Sequence, residues 1–357
     1  MKHGQRDSYI DIVKFVFSII ILLFHFSHNI LPGGRMAVEG FFMFSGYLMM
    51  KSLERAHFDH SEIGIATIKF VAHKFLILFY YLFPSILLSN IVYAVLKHKN
   101  LSTMIHEFPL LLFEIFPMHS LGYKGRYIIG ISWYTSSMLF SIAVLYPLCR
   151  KYGKNFILTI GIPLVLFIYG FLSHLYGNMK IDTWDPETNI IPTGLLRGFA
   201  GCMAGCILYY FSQKLSRKKC SALGKSIVIL FQLFGWFYFL LCIKKYPSSR
   251  FDYVLVFLIF CLLSIGISGI SGLKERYSHN KTKILGTIST LIVLNHFCWV
   301  DFLELYGYKN IFFTDNICIM LLIYLTAVTL SCIIVYYSGS VLQKYLKKLI
   351  DNCFISQ

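Results

Sequence analysis

Charge is scarce in this sequence, and what there is leans one way. Only 14% of the 357 residues are Asp, Glu, Lys or Arg, with 33 basic side chains against 17 acidic ones. A soluble domain carries about 25% charged residues, so composition excludes a water-facing globule. Several motifs are missing as well. No C-x-x-C pair, Gly-rich phosphate loop, H-E-x-x-H or acidic metal cluster occurs. Neither a resident metal nor nucleotide hydrolysis is therefore expected. The ten cysteines are scattered and mostly sit inside apolar runs, Cys242, Cys261 and Cys332 among them, as small buried hydrophobes do. No internal repeat stands out, which removes the inverted-repeat signature of many transporters.

What is present is hydrocarbon. Hydrophobic residues make up 57% of the chain, mean hydropathy is +0.65, and apolar runs recur along its whole length. Runs of ~20 such residues are what a bilayer-crossing helix needs. The expected fold is an all-α polytopic membrane protein, one membrane domain over residues 1–357 with no soluble domain. About ten helices are predicted, near 9–28, 36–54, 73–96, 132–150, 155–176, 192–212, 225–244, 251–270, 284–303 and 316–342. Lys2 and Arg6 ahead of the first run imitate a signal peptide, but no small-residue cleavage site follows, so the run reads as a retained span.

The formal net charge of +16 first suggests nucleic acid. Its distribution points elsewhere. With the N-terminus inside, cytoplasmic segments hold 21 Lys and Arg and external loops hold 10. That bias places both termini in the cytoplasm of a cell-membrane protein. It also makes the inner face attractive to anionic lipids and to the phosphates of a nucleotide-like donor.

Two external loops are longer than topology requires. Residues 97–131 contain an apolar, Pro-broken run too short to span, which reads as interfacial or re-entrant. Residues 177–191 set Asp182, Asp185 and Glu187 around Trp184, a composition that suits a sugar-contacting loop and a solvated loop alike. In the sixth span Gly198, Gly201, Ala204 and Gly205 are spaced for close helix packing.

The most informative stretch runs from Arg6 to Met50. Two apolar runs flank a Pro-Gly-Gly turn, and the first carries Asp11, Lys14, Ser18 and His25. At about 100° per residue, Lys14 and His25 fall roughly 20° apart and Ser18 roughly 40° from Lys14, so the four share one stripe. Charges in a membrane helix cost several kcal/mol unless they face protein or water, so the stripe should line the bundle interior. Read alone, His25 is a packing histidine bonded to a backbone carbonyl, and Asp11 and Lys14 neutralise one another. Glu39, in the second span, reads as a partner for Arg35 or another buried cation. Ser45-Gly46 reads as a packing point where the second span touches the first.

Arg6, Asp11, Lys14 and His25, followed by Gly34, Glu39, Phe41, Phe42, Ser45, Gly46 and Leu48, resemble the pattern of the acyltransferase 3 family of membrane acyltransferases. The resemblance is close over residues 6–50 and loose over most of the rest. It implies an O-acyltransferase that moves an acetyl or other short acyl group from cytoplasmic acyl-CoA, acetyl-CoA above all, to a hydroxyl of a cell-surface or lipid-linked glycan. On that reading His25 is the general base for direct transfer, with a transient acyl-histidine relay as the mechanistic alternative. Asp11, Lys14, Glu39, Ser45, Lys74, Trp133, Arg197 and His296 are candidates for substrate binding. Trp133 and Tyr134 stand where the family shows a Trp-Tyr/Phe pair, and serve equally as interface anchors. Arg197 resembles a recurrent family arginine. His296 matches a late-span family histidine, and a buried hydrogen-bonded histidine would look the same. One departure is plain. The family follows its second span with two basic residues three apart and a proline. Here Lys74 fills the first position, but Ile77 and Tyr80 occupy the others, with Lys69 and His73 as nearby substitutes. Two other classes stay open: a glycan or lipid transporter using Lys14, Glu39 and Arg197, and an inactive relative acting as an assembly partner.

Overall fold

The computed structural model describes residues 7–27, 29–55, 62–123, 127, 129–179, 192–246, 249–272, 279–305 and 317–355. Among them secondary structure is helical throughout, without strands. Six stretches are long and apolar enough to cross a membrane: Ser8–Phe26, Ile63–Leu96, Ser132–Tyr176, Thr193–Ser216, Ala222–Lys245 and Ile317–Lys348. Two shorter apolar helices occupy Asp252–Ser268 and Thr282–Asn295. This is a helical, multi-pass membrane protein. The expectation of about ten spans divides Ser132–Tyr176 in two and counts Ala37–Arg55, whose Glu39, Lys51, Glu54 and Arg55 make it too polar to stand among the six.

Two compact units emerge. The first comprises Met1–Val71 and Tyr134–Ser289. It contains α1 (Ser8–Phe26), α2 (Ala37–Arg55), the start of α3 (Ile63–Leu96), most of α5 (Ser132–Phe156), α6 (Ile162–Tyr176), α7 (Thr193–Ser216), α8 (Ala222–Lys245), α9 (Asp252–Ser268) and the first turns of α10 (His279–Asn295). The α5–α6 stretch breaks at Gly153, whose φ of +55° is left-handed, and resumes through a π-turn at Ile157–Gly161.

Helix α7 is the axis of this unit and packs against α2, α6 and α9. The closest contact is with α2, and glycine makes it possible. A Cβ on Gly201 would lie 2.6 Å from the Phe42 Cβ, and one on Gly205 would run into the backbone of Met43 and Tyr47. From the other side, a Cβ on Gly46 would overlap the carbonyl of Cys202. Small residues at such crossings let helix backbones touch, where packing rather than hydrophobicity holds helices together in lipid. The packing role read for the glycines of the sixth span is thus seen in the fold. The Ser45-Gly46 reading is corrected: Gly46 meets α7, and it is Gly40 that receives α1. A Cβ on Gly40 would strike the ring of Phe17. Phe17 is fully buried among Phe41 and Phe44 of α2 and Trp236 and Phe239 of α8, at ring separations of 5.8–6.3 Å.

The second unit comprises Ala72–Trp133 and Thr290–Gln357. It holds the rest of α3, α4 (Leu101–Ile115), the end of α10, α11 (Phe297–Leu305) and α12 (Ile317–Ile355). Its core gathers Leu82, Ile86, Leu111, Ile115, Ile129 and Leu294. The apolar run inside residues 97–131 is helix α4, capped by Asn100, which accepts from the Thr103 amide at 2.8 Å. Ile105, Phe108 and Leu112 are exposed at helical spacing, while Leu111 and Ile115 face the core. Helix α3 begins ten residues before the expected 73, leaving Lys69 and His73 exposed along it.

Candidate active site

Helix α1 is capped by Asp7, whose carboxylate accepts from the Tyr9 amide at 3.2 Å. An acidic residue in the first turn and a histidine in the last both suit the helix macrodipole. The polar stripe is inward-facing. Asp11 is buried, Ser18 is fully buried with its hydroxyl donating to the Phe15 carbonyl at 2.7 Å, and Lys14 and His25 are half-buried. The Lys14 ammonium lies 5.9 Å from the Phe44 ring centroid of α2, within cation–π range. The Lys14 carbonyl accepts from Ser289 of α10 at 2.9 Å. His25 meets the Phe24 ring edge-on at 5.0 Å. Beyond it the Pro-Gly-Gly turn folds back on α1: a Cβ on Gly34 would sit 2.6 Å from the Phe24 Cβ, and the Gly33 amide donates to Ile243 of α8 at 2.8 Å. Arg6 and His28 lie outside the described residues, as does the 180–191 segment with Asp182, Trp184, Asp185 and Glu187.

Between α2 and α7 lies a buried charge network. Glu39 and Arg197 are both fully buried, with Arg197 Nε 2.5 Å from Glu39 Oε1. The second carboxylate oxygen accepts from the Tyr169 hydroxyl of α6 at 2.7 Å. Arg35 does not pair with Glu39. Its guanidinium reaches Asp252 at the start of α9, at 2.6 Å, and the same carboxylate oxygen accepts from the Met179 amide at 2.9 Å. Each buried charge thus has a counter-charge and a further hydrogen bond, the condition under which ions persist at low dielectric. Ser45 completes the α2 face. Its hydroxyl donates to the Phe41 carbonyl at 2.9 Å and lies 3.5 Å from the Tyr134 hydroxyl of α5. The Tyr134 ring rests 4.7 Å from that of Phe42, so the two adjacent phenylalanines and Ser45 surround one tyrosine.

The remaining candidates belong to the second unit. Lys74 is half-buried on α3. Trp133 is buried, and its carbonyl accepts from Ser120 at 2.7 Å. His296 falls in the break between α10 and α11, which divides the span expected at 284–303. Its Nδ1 lies 3.0 and 2.9 Å from the carbonyls of Ile292 and Val293, so this nitrogen carries the proton and caps the end of α10. The Tyr324 hydroxyl donates to the His296 carbonyl at 3.3 Å. Next to Ser132 lies another histidine, His119. Its Nδ1 is 2.8 Å from the Ser132 hydroxyl, its ring stacks on Tyr127 at 3.8 Å, and burial pushes its pKa down to about 4.

A family model for an acyltransferase domain, acyltransferase 3, matches residues 7–336. The chain belongs to this family. No curated protein and no solved structure matches it. In this acyltransferase the motif residues of α1 and α2 therefore sit in one unit with Arg197, whereas Lys74, Trp133 and His296 sit in the other. Sequence reasoning missed Asp252 and Tyr169. A lone acid opening the apolar run at Asp252 was a readable signal. Nothing distinguished Tyr169 within its helix.

Proposed function

We propose that this acyltransferase carries an acetyl or other short acyl group from cytoplasmic acyl-CoA to a hydroxyl of a cell-surface or lipid-linked glycan, with His25 as general base. The supporting observation is the stripe on α1. It sets a cation and a half-buried imidazole on one inward face, in a chain of this family. Eleven residues of helix separate Lys14 from His25, roughly 16 Å along the axis. An acyl-CoA whose phosphates met Lys14 would present its thioester through the long pantetheine arm near His25. There the imidazole takes the acceptor hydroxyl proton as the oxygen attacks the thioester carbon. The C–S bond breaks, an ester bond forms, and the proton passes to the departing thiolate. Asp11, one turn from Lys14, orients its ammonium.

The test is acyl content of the surface polysaccharide, read by NMR, in a deletion strain complemented with wild type or His25→Ala. The expected result is loss of O-acyl signals on deletion and their return with wild type alone. Full acylation by a stably inserted His25→Ala variant refutes the assignment. Unchanged acylation with a glycan that fails to reach the surface points to transport instead.

A further inference from the structure

Arg35 follows directly on the Pro-Gly-Gly turn beyond α1, and its side chain ties that turn to a helix far away in sequence. One guanidinium nitrogen donates to the Pro32 carbonyl at 3.0 Å, and another donates to Asp252, the first residue of α9, at 2.6 Å. The guanidinium is a planar, rigid fork, so making both bonds at once sets where the turn stands relative to α9. Asp252 is itself held in place. The carboxylate oxygen that meets Arg35 also accepts from the Met179 amide at 2.9 Å, and the adjacent Tyr253 donates to the Asn178 carbonyl at 3.1 Å. Opening α9 as it does, the carboxylate also suits the helix macrodipole. Both members of the pair are buried, at 5% and 2% exposure.

What the turn touches is the end of α1 that carries His25. Gly34 lies so close that a Cβ there would come within 2.6 Å of the Phe24 Cβ and 3.2 Å of the Ile20 carbonyl. The Phe24 ring in turn meets the His25 imidazole edge-on at 5.0 Å. On its other side the turn abuts α8, where a Cβ on Gly33 would lie 2.8 Å from the Ile243 Cα. Glycine backbone packed on helix leaves no flexible side chain to absorb a shift, so a displaced turn carries the last turn of α1 with it. A buried ion pair adds little net stability over an apolar pair of similar volume. What the pair at Arg35 supplies is register: apolar side chains would fill the same space without fixing the turn.

We infer that Asp252 is a positioning residue for His25, acting through Arg35 and the turn rather than by touching substrate. Every contact in this relay lies in the first unit. Its consequence for acyl transfer rests on the reading of His25 as general base; the placing of the imidazole rests on the contacts alone.

The experiment compares the full-length wild type with two variants in membranes of the complemented deletion strain. Arg35→Met/Asp252→Leu removes both charges, and Arg35→Lys keeps the counter-charge without the fork. A thermal melt of each purified variant verifies the fold. The first readout is carbethoxylation of His25 by diethyl pyrocarbonate, followed by mass spectrometry, with the exposed His73 as internal reference. Half-buried His25 should react several-fold faster in both variants relative to His73. The second readout is the initial rate of radiolabelled acetyl transfer from acetyl-CoA to polysaccharide. There kcat should fall by on the order of tenfold to a hundredfold, while KM for acetyl-CoA stays within about twofold. A folded double variant with wild-type labelling of His25 overturns the proposal whatever its rate, as does altered labelling with undiminished transfer. Should the double variant not fold, Arg35→Lys decides by the same two readouts. If His25 labelling responds as expected while wild type itself transfers no acetyl group, the positioning role stands and the acyltransferase reading falls.

Discussion

Replacing Arg197 by Met would leave the Glu39 carboxylate at zero exposure with the Tyr169 hydroxyl of α6, at 2.7 Å, as its remaining partner among the described residues. Removing one member of such a pair costs about 3–5 kcal/mol, because an uncompensated charge stays buried. Glu39→Met should cost a similar amount by orphaning Arg197. The double variant removes both charges. Its main remaining defect is the Tyr169 hydroxyl, worth about 1–3 kcal/mol if left without an acceptor. The cycle therefore predicts a coupling of at least about 3 kcal/mol between the two sites. SDS titration in mixed micelles, followed by tryptophan fluorescence, measures it; Trp236 lies 5.8 Å from Phe17 in the same unit. Free energies that add to within about 0.5 kcal/mol would refute the buried pair. Activity separates two roles for the network. A stable double variant that still transfers acyl groups makes it structural, and one that folds but is inactive gives it a part in handling substrate.

Other outcomes follow from the same contacts. Gly205→Ala should destabilise by about 1–3 kcal/mol or more, since the new methyl meets α2 backbone rather than a flexible side chain; thermal unfolding of the purified protein reads this. Arg35→Met should behave like Arg197→Met, at about 3–5 kcal/mol, through the orphaned Asp252 carboxylate, and Arg35→Met/Asp252→Leu should recover most of it. His119 has a folded pKa of about 4, below the ordinary value of 6.5. The unfolded segment thus binds the proton first, and the stability His119 contributes is full above pH 6.5 and lost as pH falls toward 4. Amide protection across 119–121 and 129–133, taken relative to the intrinsic exchange rate at each pH, should fall over that window, and His119→Gln should remove the dependence.

The amount of this architecture legible in the sequence varied with the physics. Helical identity followed from apolar run length, and the α1 stripe from the 3.6-residue period, so the inward burial of Asp11 and Ser18 was readable. The packing role of Gly201 and Gly205 was readable too, because small residues at that spacing have few other uses. Their partner was not: spacing on one helix does not name the helix it touches, and proximity in sequence wrongly joined Gly46 to α1. Pairing within the charge network was hidden for the same reason. Arg35 is nearer Glu39 in sequence than Arg197 is, yet the geometry gives it to Asp252, 217 residues away. The break at His296 was invisible because flanking hydropathy runs straight through it.

The Glu39–Arg197 contact also has a history in time. Its partners lie 158 residues apart. At about 5–20 residues per second of synthesis, Glu39 emerges roughly 8–30 s before the arginine that neutralises it. During that interval α2 is a helix too polar to settle in lipid on its own, carrying glycines shaped for a neighbour that does not yet exist. The nascent second helix must therefore be sheltered at the insertion machinery, or wait at the interface, until α7 arrives. Assembly of the first unit is set by when that late helix is made, and a truncation before Thr193 would strand α2 rather than yield a smaller version of the bundle.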